Sequence, residues 1–263
     1  MCIGTLMFLY ASPVRIMPLG DSITYDDSYA DKSDPRPPGL RHAYRNHLWY
    51  KLTDAGYSVD FVGSRNAGAD ILPPFDPDNE GYPGYTSNQI ADIVYDKLVL
   101  AKPDIILLYI GANDWDEDVS GVNRILNEID RYESNYTSHI KVILARIANR
   151  REYYEWMTKF NRNLQALADN RIAKGDDIKV VDMEYGAGIN YPGDFQDPTH
   201  PDDVGYAKIA AVWFKALEPY MKYPEDILDF YMSGILPAVA SQKNGSDMVD
   251  YYMSTILPAI TAP

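Results

Sequence analysis

Apolar and polar positions follow two alternating patterns along the chain, and their order predicts the fold. Short apolar runs predict strands, the clearest being Asp-Ile-Ile-Leu-Leu-Tyr-Ile at residues 104–110. Longer stretches with apolar residues three or four positions apart predict helices. The predicted strands are residues 14–19, 58–62, 104–110, 141–145 and 178–182, and the predicted helices are residues 44–55, 87–98, 122–132, 153–173 and 203–220.

This alternation predicts the α/β fold class, with a central five-stranded parallel sheet. Parallel strands need crossover helices, which cover both faces of the sheet through right-handed connections. A chain of 263 residues with 46% hydrophobic content can bury one such domain together with an appendage. We assign residues 14–223 to the domain, residues 1–13 to a leader and residues 224–263 to a tail.

The formal net charge of −14 narrows the range of partners. This charge repels phosphate backbones and anionic membrane surfaces, so we expect no nucleic-acid partner. No segment reaches the roughly 20 apolar residues of a membrane span, so we also expect no transmembrane segment. Cys2 is the only cysteine, which excludes an intramolecular disulfide.

The two ends of the chain have patterns of their own. Residues 2–11 form an apolar run that fits either a leader or an export signal lacking its basic region. We expect a secreted or extracytoplasmic protein, with a cytoplasmic location as the alternative. In the tail, residues 229–238 recur as residues 250–259, and each copy has helical apolar spacing and ends near a proline. Because such short helices need a docking surface, we expect the tail to pack on the domain or to mediate self-association.

Polar residues that suit ester chemistry follow the predicted strands. Ser22 follows the first strand, Gly84 the second and Asn113 the third, and Asp197 and His200 follow the fifth. The carboxyl ends of parallel strands form one rim, so these residues are expected to lie together. Ser22 needs a base to become a nucleophile, and Asp197 is close enough along the chain to orient His200 for that task.

The same residues offer donors for an oxyanion hole. Ser22 and Gly84 could each donate a backbone N–H, and Asn113 could donate its side-chain amide. Taken singly, Ser22 is as well explained as a helix cap, Gly84 as a turn residue and Asn113 as a cap. Their joint occurrence in this order indicates a serine hydrolase.

Several motifs resemble known families. Gly20-Asp21-Ser22-Ile23, Gly84, Gly111-Ala112-Asn113-Asp114 and Asp197-Pro198-Thr199-His200 resemble the GDSL or SGNH hydrolases. A further set is similar to the acetyl xylan esterases of carbohydrate esterase family 3: Ala43-Tyr44-Arg45, Val59-Asp60-Phe61-Val62-Gly63-Ser64, Glu80-Gly81-Tyr82-Pro83-Gly84-Tyr85-Thr86 and His200-Pro201-Asp202-Asp203-Val204-Gly205-Tyr206.

The resemblance implies a three-layer α/β/α flavodoxin-like sandwich, the SGNH hydrolase fold, over residues 14–222. It also implies a metal-free Ser-His-Asp mechanism and deacetylation of plant polysaccharide. The chain departs from the family where relatives often read Asp-Gly-x-His instead of Asp197-Pro198-Thr199-His200, and in an insertion at residues 26–39. The triad residues Ser22, Asp197 and His200 are retained despite these departures.

Aromatic residues in the predicted rim loops suit a sugar substrate, because flat rings stack on pyranose faces and phenols bond their oxygens. The equally weighted alternative is that these rings pack the loops. The rim aromatics are Tyr25, Tyr82, Tyr85, Trp115, Tyr191 and Phe195. Our candidate substrate-binding residues are Asp21, Tyr25, Tyr82, Tyr85 and Trp115.

No cofactor or catalytic metal is expected. Two acidic groups could hold a structural Ca²⁺, but they lack the calcium-loop pattern, so we favour solvated loops. These groups are Asp26, Asp27, Asp31 and Asp34, and Asp114, Asp116, Glu117 and Asp118. The spacing of His42, His47 and His139 does not suggest zinc, and we interpret them as structural.

The sequence therefore predicts an acetylesterase acting on acetylated carbohydrate or a small ester, with Ser22, His200 and Asp197 as the catalytic residues. One alternative is a broad short-chain esterase, lipase or thioesterase. Another is a carbohydrate-binding protein with an inactive triad.

Overall fold

The computed structural model describes residues 12–221. Residues 13–55 and 59–221 form one structural unit, which contains every candidate site residue. The predicted tail, residues 224–263, lies outside the described residues, as does nearly all of the predicted leader, residues 1–13. These two assignments therefore stay predictions. Among residues 12–221, no helix is both long enough and apolar enough to cross a membrane.

The sheet contains the five predicted parallel strands and two short additions. Its strands are β1 (Val14–Gly20), β2 (Val59–Phe61), β3 (Arg65–Asn66), β4 (Asp78–Gly81), β5 (Ile105–Tyr109), β6 (Lys141–Arg146) and β7 (Ile178–Asp182). The five parallel strands lie in the order β2-β1-β5-β6-β7. β5 is the central strand of this order, and all of its residues are buried. β4 pairs with the end of β1, and β3 pairs antiparallel with β4. The sequence did not predict β3 and β4, because short polar strands show no apolar pattern.

Helices cover the sheet in the predicted three-layer α/β/α arrangement. They are α1 (Ser22–Tyr25), α2 (Ala43–Asp54), α3 (Ser87–Ala101), α4 (Ser120–Tyr136), α5 (Glu155–Ile172) and α6 (Asp203–Leu217). α2 packs against α6, α3 packs against α4, and α5 contacts β6 and β7. The five long helices match the predicted segments apart from their ends. In α3, α4 and α5 the buried apolar residues recur at helical spacing, and this is the pattern from which the helices were predicted.

A fully buried arginine on α2 ties α1 to the segments beside β3 and β4. The guanidinium of Arg45 donates hydrogen bonds to the main-chain carbonyls of Thr24, Ala67 and Pro77. Burial lowers the pKa of Arg45 to about 10, well below its usual value. Arg45 thereby satisfies main-chain acceptors inside the protein and stabilises the chain next to the candidate nucleophile.

Candidate active site

The register of the sheet brings the first three motifs to one rim. Gly20, the last residue of β1, pairs with Gly81 of β4 and with Tyr109 of β5. Ser22, Gly84 and Asn113 follow these paired positions closely along the chain, so their loops are neighbours. A Cβ atom on Gly20 would lie 2.2 Å from the Tyr109 carbonyl oxygen, so this close approach requires glycine.

Ser22 is the first residue of α1 and is largely buried, with 7% of its surface exposed. Asp21 caps this helix, and its side chain accepts a 2.9 Å hydrogen bond from the Ile23 backbone N–H. The first N–H groups of a helix have no partner within the helix. The Ser22 N–H is therefore suited to bind negative charge that develops beside its own hydroxyl.

Ser22, His200 and Asp197 form a continuous hydrogen-bonded chain. The Ser22 Oγ lies 2.9 Å from His200 Nε2, and His200 Nδ1 lies 2.7 Å from Asp197 Oδ2. His200 is 5% exposed, so this contact lies within the protein and away from bulk water. With the Nδ1 proton donated to Asp197, Nε2 is free to accept the proton of the Ser22 hydroxyl.

The Asp197 carboxylate is held in its charged form. Burial alone would raise its pKa, but hydrogen bonds from His200 and from the Tyr29 backbone N–H outweigh this effect and hold the pKa well below its usual range. The backbone N–H groups of Thr199 and His200 also donate to Asp197 Oδ1 at 2.8 Å. Asp197 therefore both orients His200 and shapes the turn that carries it.

Tyr29, in the segment after α1, braces the histidine loop. Its backbone N–H donates to Asp197 at 2.8 Å, and its hydroxyl lies 2.8 Å from the Thr199 hydroxyl. Its ring meets the His200 ring edge-on at 5.3 Å between centroids. The sequence interpretation missed Tyr29, because nothing in the local pattern connects it to residues so far along the chain.

The two other candidate oxyanion donors lie on adjoining loops. The Asn113 side-chain amide donates a 3.0 Å hydrogen bond to the Tyr85 carbonyl, which ties its loop to the loop of Gly84. This bond uses one amide hydrogen and leaves the second for a ligand. Gly84 is exposed with φ of +80°, and an added Cβ would meet no atom within 4 Å, so open space lies beside it.

Arg150 connects the Asn113 loop with the His200 loop, and the sequence interpretation missed it. Its guanidinium donates hydrogen bonds of 2.9 Å to the Ala112 carbonyl and to the Thr199 hydroxyl. Arg150 is 4% exposed and lies 4.0 Å beneath the Trp115 ring. Its place after β6, at the carboxyl end of a predicted strand, is the one sequence signal that could have identified it.

Most of the candidate substrate-binding residues lie inside the protein. Asp21 is fully buried. The Tyr25 ring packs between Arg41 and Arg65, and Tyr82 is 8% exposed, with its hydroxyl donating to Glu80. Neighbouring side chains cover most of both rings and leave little surface for stacking on a sugar, and contact of Tyr25 and Tyr82 with substrate stays a prediction.

Two candidates remain near the surface. Trp115 is 57% exposed and lies two residues beyond Asn113. Tyr85 is half-buried and stacks on Tyr82 at 5.1 Å between ring centroids. Of the other rim aromatics, Phe195 is buried, and the Tyr191 hydroxyl donates to the Glu184 carbonyl. Contact of Trp115 and Tyr85 with substrate stays a prediction.

Asp21 is a buried carboxylate beside the nucleophile. Burial raises its pKa to about 6, although the backbone N–H of Ile23 and the nearby His200 both act to lower it. Its Oδ1 bonds the Ile23 N–H, whereas its Oδ2 is buried without a hydrogen-bond partner among the described residues. This arrangement makes the stability of the segment sensitive to pH.

Three residues of the first acidic group differ from the solvated loop that we favoured, whereas the fourth, Asp34, is exposed. Asp26 and Asp31 are buried and form ion pairs with Arg36 at 3.1 and 2.8 Å, and Arg41 pairs with Asp27 and Asp31. These arginines supply the positive charge that burial of the carboxylates requires. Within the second group, three residues match the solvated interpretation: Asp116, Glu117 and Asp118 are exposed.

Comparison with known proteins points to one family. A sequence model of the GDSL-like Lipase/Acylhydrolase family matches residues 16–213. The chain is also 29% identical over 257 residues to a multidomain esterase of Ruminococcus flavefaciens. That match covers 84% of this chain and 31% of the relative, so the chain spans about a third of the length of this curated protein.

Two solved structures are similar over most of the chain. A family 3 carbohydrate esterase of Clostridium thermocellum is 29% identical, with a TM-score of 0.63, and the match covers 82% of this chain and 98% of that one. A serine-to-alanine mutant of an acetyl esterase, crystallised with acetate ion, is 25% identical, with a TM-score of 0.65. That match covers 81% of this chain and 99% of the other.

Proposed function

Because the chain belongs to the GDSL-like Lipase/Acylhydrolase family, a family of carboxylic ester hydrolases, we propose that it removes acetyl groups from carbohydrate. The proposal rests above all on the hydrogen-bonded chain from Ser22 through His200 to Asp197. Family membership supports the ester bond as the target. The acetyl group and the carbohydrate are suggested by the acetyl esterase and the carbohydrate esterase to which the chain is similar.

In the first half of the reaction, Ser22 Oγ attacks the acetyl carbonyl carbon while His200 Nε2 takes its proton. Negative charge develops on the carbonyl oxygen, where the Ser22 and Gly84 N–H groups and the Asn113 amide donate hydrogen bonds. The C–O bond to the sugar then breaks, and His200 returns the proton to the departing sugar oxygen. Ser22 is left as an acetyl ester.

In the second half, water replaces the sugar. His200 takes a proton from the water as its oxygen attacks the acetyl carbon, and the same donors stabilise the second oxyanion. The bond to Ser22 Oγ breaks, His200 returns the proton to that oxygen, and acetate leaves. Asp197 stabilises the imidazolium in both halves and keeps its Nδ1 proton in place.

The carbohydrate part of the proposal is supported by Trp115. Its ring is exposed beside the Asn113 loop, and the Arg150 guanidinium supports it from below at 4.0 Å. A rigid, exposed indole offers a flat apolar face on which a sugar ring stacks. A small aryl acetate has no sugar to place there, so Trp115 should matter only for the polymer.

Acetate release from acetylated xylan and from a small aryl acetate tests the proposal. We expect wild-type turnover of both substrates, loss of turnover in folded Ser22→Ala, and an acetylated Ser22 peptide in quenched wild-type reactions. Full activity in Ser22→Ala would contradict the mechanism. Turnover of the aryl acetate without any release from acetylated xylan or sugars would favour a broad short-chain esterase. No turnover of either by folded wild-type protein would favour a binding role.

Two surface aromatics give a matched test of substrate class. Trp115→Ala should raise KM for acetylated xylan by up to about tenfold, in line with the about 0.5–1.5 kcal/mol of an aromatic contact, and leave the aryl acetate unaffected. Tyr136→Ala, at the exposed end of α4, removes a ring that is 50% exposed away from the site and should change neither. Equal losses on both substrates in Trp115→Ala would show that Trp115 supports the active site instead of binding sugar.

A further inference from the structure

Two histidines and an aspartate meet where α2 and α6 begin, apart from the hydrogen-bonded chain of Ser22. His42 immediately precedes α2, His47 lies within α2, and Asp203 is the first residue of α6. One ring nitrogen from each histidine and one carboxylate oxygen of Asp203 all lie within 4.8 Å of one another. Our interpretation of these histidines as structural overlooked this cluster, because packing of α6 on α2 supplies its third member.

His47 and Asp203 already face one another across the two helices. His47 Nε2 lies 2.8 Å from Asp203 Oδ1. Their side chains are 22% and 70% exposed, so an ion can reach the pair from solvent and the carboxylate can adjust its position. Both groups bind first-row divalent metals once the imidazole is neutral.

His42 is held in the form that a metal ligand needs. Its Nδ1 lies 3.1 Å from both the Ala43 carbonyl and Asn46 Oδ1. Two acceptors on this side place the ring proton on Nδ1 and leave the lone pair of Nε2 free. Asn46 Oδ1 also accepts the His47 backbone N–H at 2.7 Å, so one amide links both histidines. Metal-binding histidines are commonly oriented by such an acceptor on the second ring nitrogen.

We propose that His42, His47 and Asp203 bind one Zn²⁺-like divalent cation. Two imidazoles and one carboxylate suit Zn²⁺, which takes four ligands at about 2.0–2.2 Å and completes its shell with water. The same set is poor for Ca²⁺ and Mg²⁺, which prefer oxygen ligands. The ion would join α2 to α6, the helix that begins three residues after His200, and so stabilise the chain next to the catalytic loop.

Zinc titration of the full chain, freed of any histidine tag and of bound metal, tests the site. Calorimetry should show one Zn²⁺ bound per chain with micromolar or tighter Kd. At free Zn²⁺ about 100 times Kd, the unfolding midpoint should rise by about 5–10 °C. Binding only at millimolar concentrations, or no rise in the midpoint, would overturn the proposal.

Substitutions test whether Zn²⁺ binds at the cluster of His42, His47 and Asp203. His47→Gln and Asp203→Asn should each weaken Zn²⁺ binding by about 100-fold, and Asn46→Ala, which removes an orienting acceptor, by about 10–100-fold. His139→Gln is the control, because His139 is exposed and pairs with Asp177 at a different edge of the protein. Asp203 is exposed, so its variant should fold even if a histidine variant does not.

Two results with these variants would also overturn the site. One is wild-type affinity in folded Asp203→Asn. The other is an equal loss of affinity in His139→Gln. Neither measurement depends on esterase activity, so this proposal can fail while the proposed function stands.

Discussion

The Arg150 guanidinium donates a 2.9 Å hydrogen bond to the hydroxyl of Thr199, the residue directly before His200. Its second nitrogen holds the carbonyl of Ala112, the residue directly before Asn113. One buried cation therefore sets the spacing between the loop of the proposed base and the loop of a proposed oxyanion donor. Misplacement of reacting groups by about 1 Å can cost about 100-fold in rate.

Replacing Arg150 should therefore impair turnover more than binding. We expect Arg150→Met to lower kcat by about 10–100-fold with little change in KM for a small aryl acetate, because both loops lose their shared anchor. Arg151→Met is the control, since it removes a neighbouring cation and leaves both Arg150 hydrogen bonds in place. Steady-state kinetics measure the effect, and a change confined to KM would count against a positioning role.

Asp197→Asn should show how much Asp197 contributes to the action of His200 as a base. An amide cannot stabilise the imidazolium and favours the wrong tautomer, so we expect kcat to fall by about 1,000–10,000-fold. Pre-steady-state acetylation of Ser22 should slow by a similar factor. Less than a tenfold loss in the folded variant would show that Asp197 contributes little to the reaction.

Asn113→Ala should reveal whether its amide binds the oxyanion. Loss of one such donor typically lowers kcat by about 100–1,000-fold. Asn113 also bonds the Tyr85 carbonyl, so a loss of structure must be distinguished from a loss of chemistry. Thermal unfolding of the variant provides that control. An unchanged kcat in a folded variant would remove Asn113 from the oxyanion hole.

Asp21 should make the free energy of unfolding depend on pH. Its folded pKa of about 6 exceeds its ordinary value of 3.8, so its proton stabilises the folded state below about pH 4, and this contribution is lost as pH rises through 6. The loss amounts to about 3 kcal/mol for a shift of about two units. Asp21→Asn cannot titrate and keeps an oxygen for the Ile23 N–H.

Denaturant unfolding at pH 4, 5, 6 and 8 tests this effect. The wild type should lose stability relative to Asp21→Asn as pH rises between about 4 and 6, with little further change above about 7. Comparison with the variant cancels the contributions of titrating groups that do not interact with Asp21. A difference that does not vary with pH would contradict the assignment.

The predicted strands and helices agree with the structure where the spacing of apolar residues within the segment itself indicates the element. β5 and α4 show their apolar residues at the spacing of a strand and a helix, and both were predicted. β4 consists of Asp78-Asn79-Glu80-Gly81 and has no apolar period, so only its pairing with β1 reveals it. The burial of Tyr25 and Tyr82 escaped prediction in the same way, since the arginines around them come from other segments.

The sequence by itself determined the order of the five parallel strands and five long helices along the chain, and the rim at which Ser22, Asn113 and His200 lie. Periodicity is a local property, and parallel strands share the edge where their carboxyl ends fall. Only the tertiary structure decided that Arg150 links two of these loops and that His42 and His47 meet Asp203. Such contacts join residues far apart in the chain, and their geometry depends on loop conformation and helix packing that no repeating pattern records.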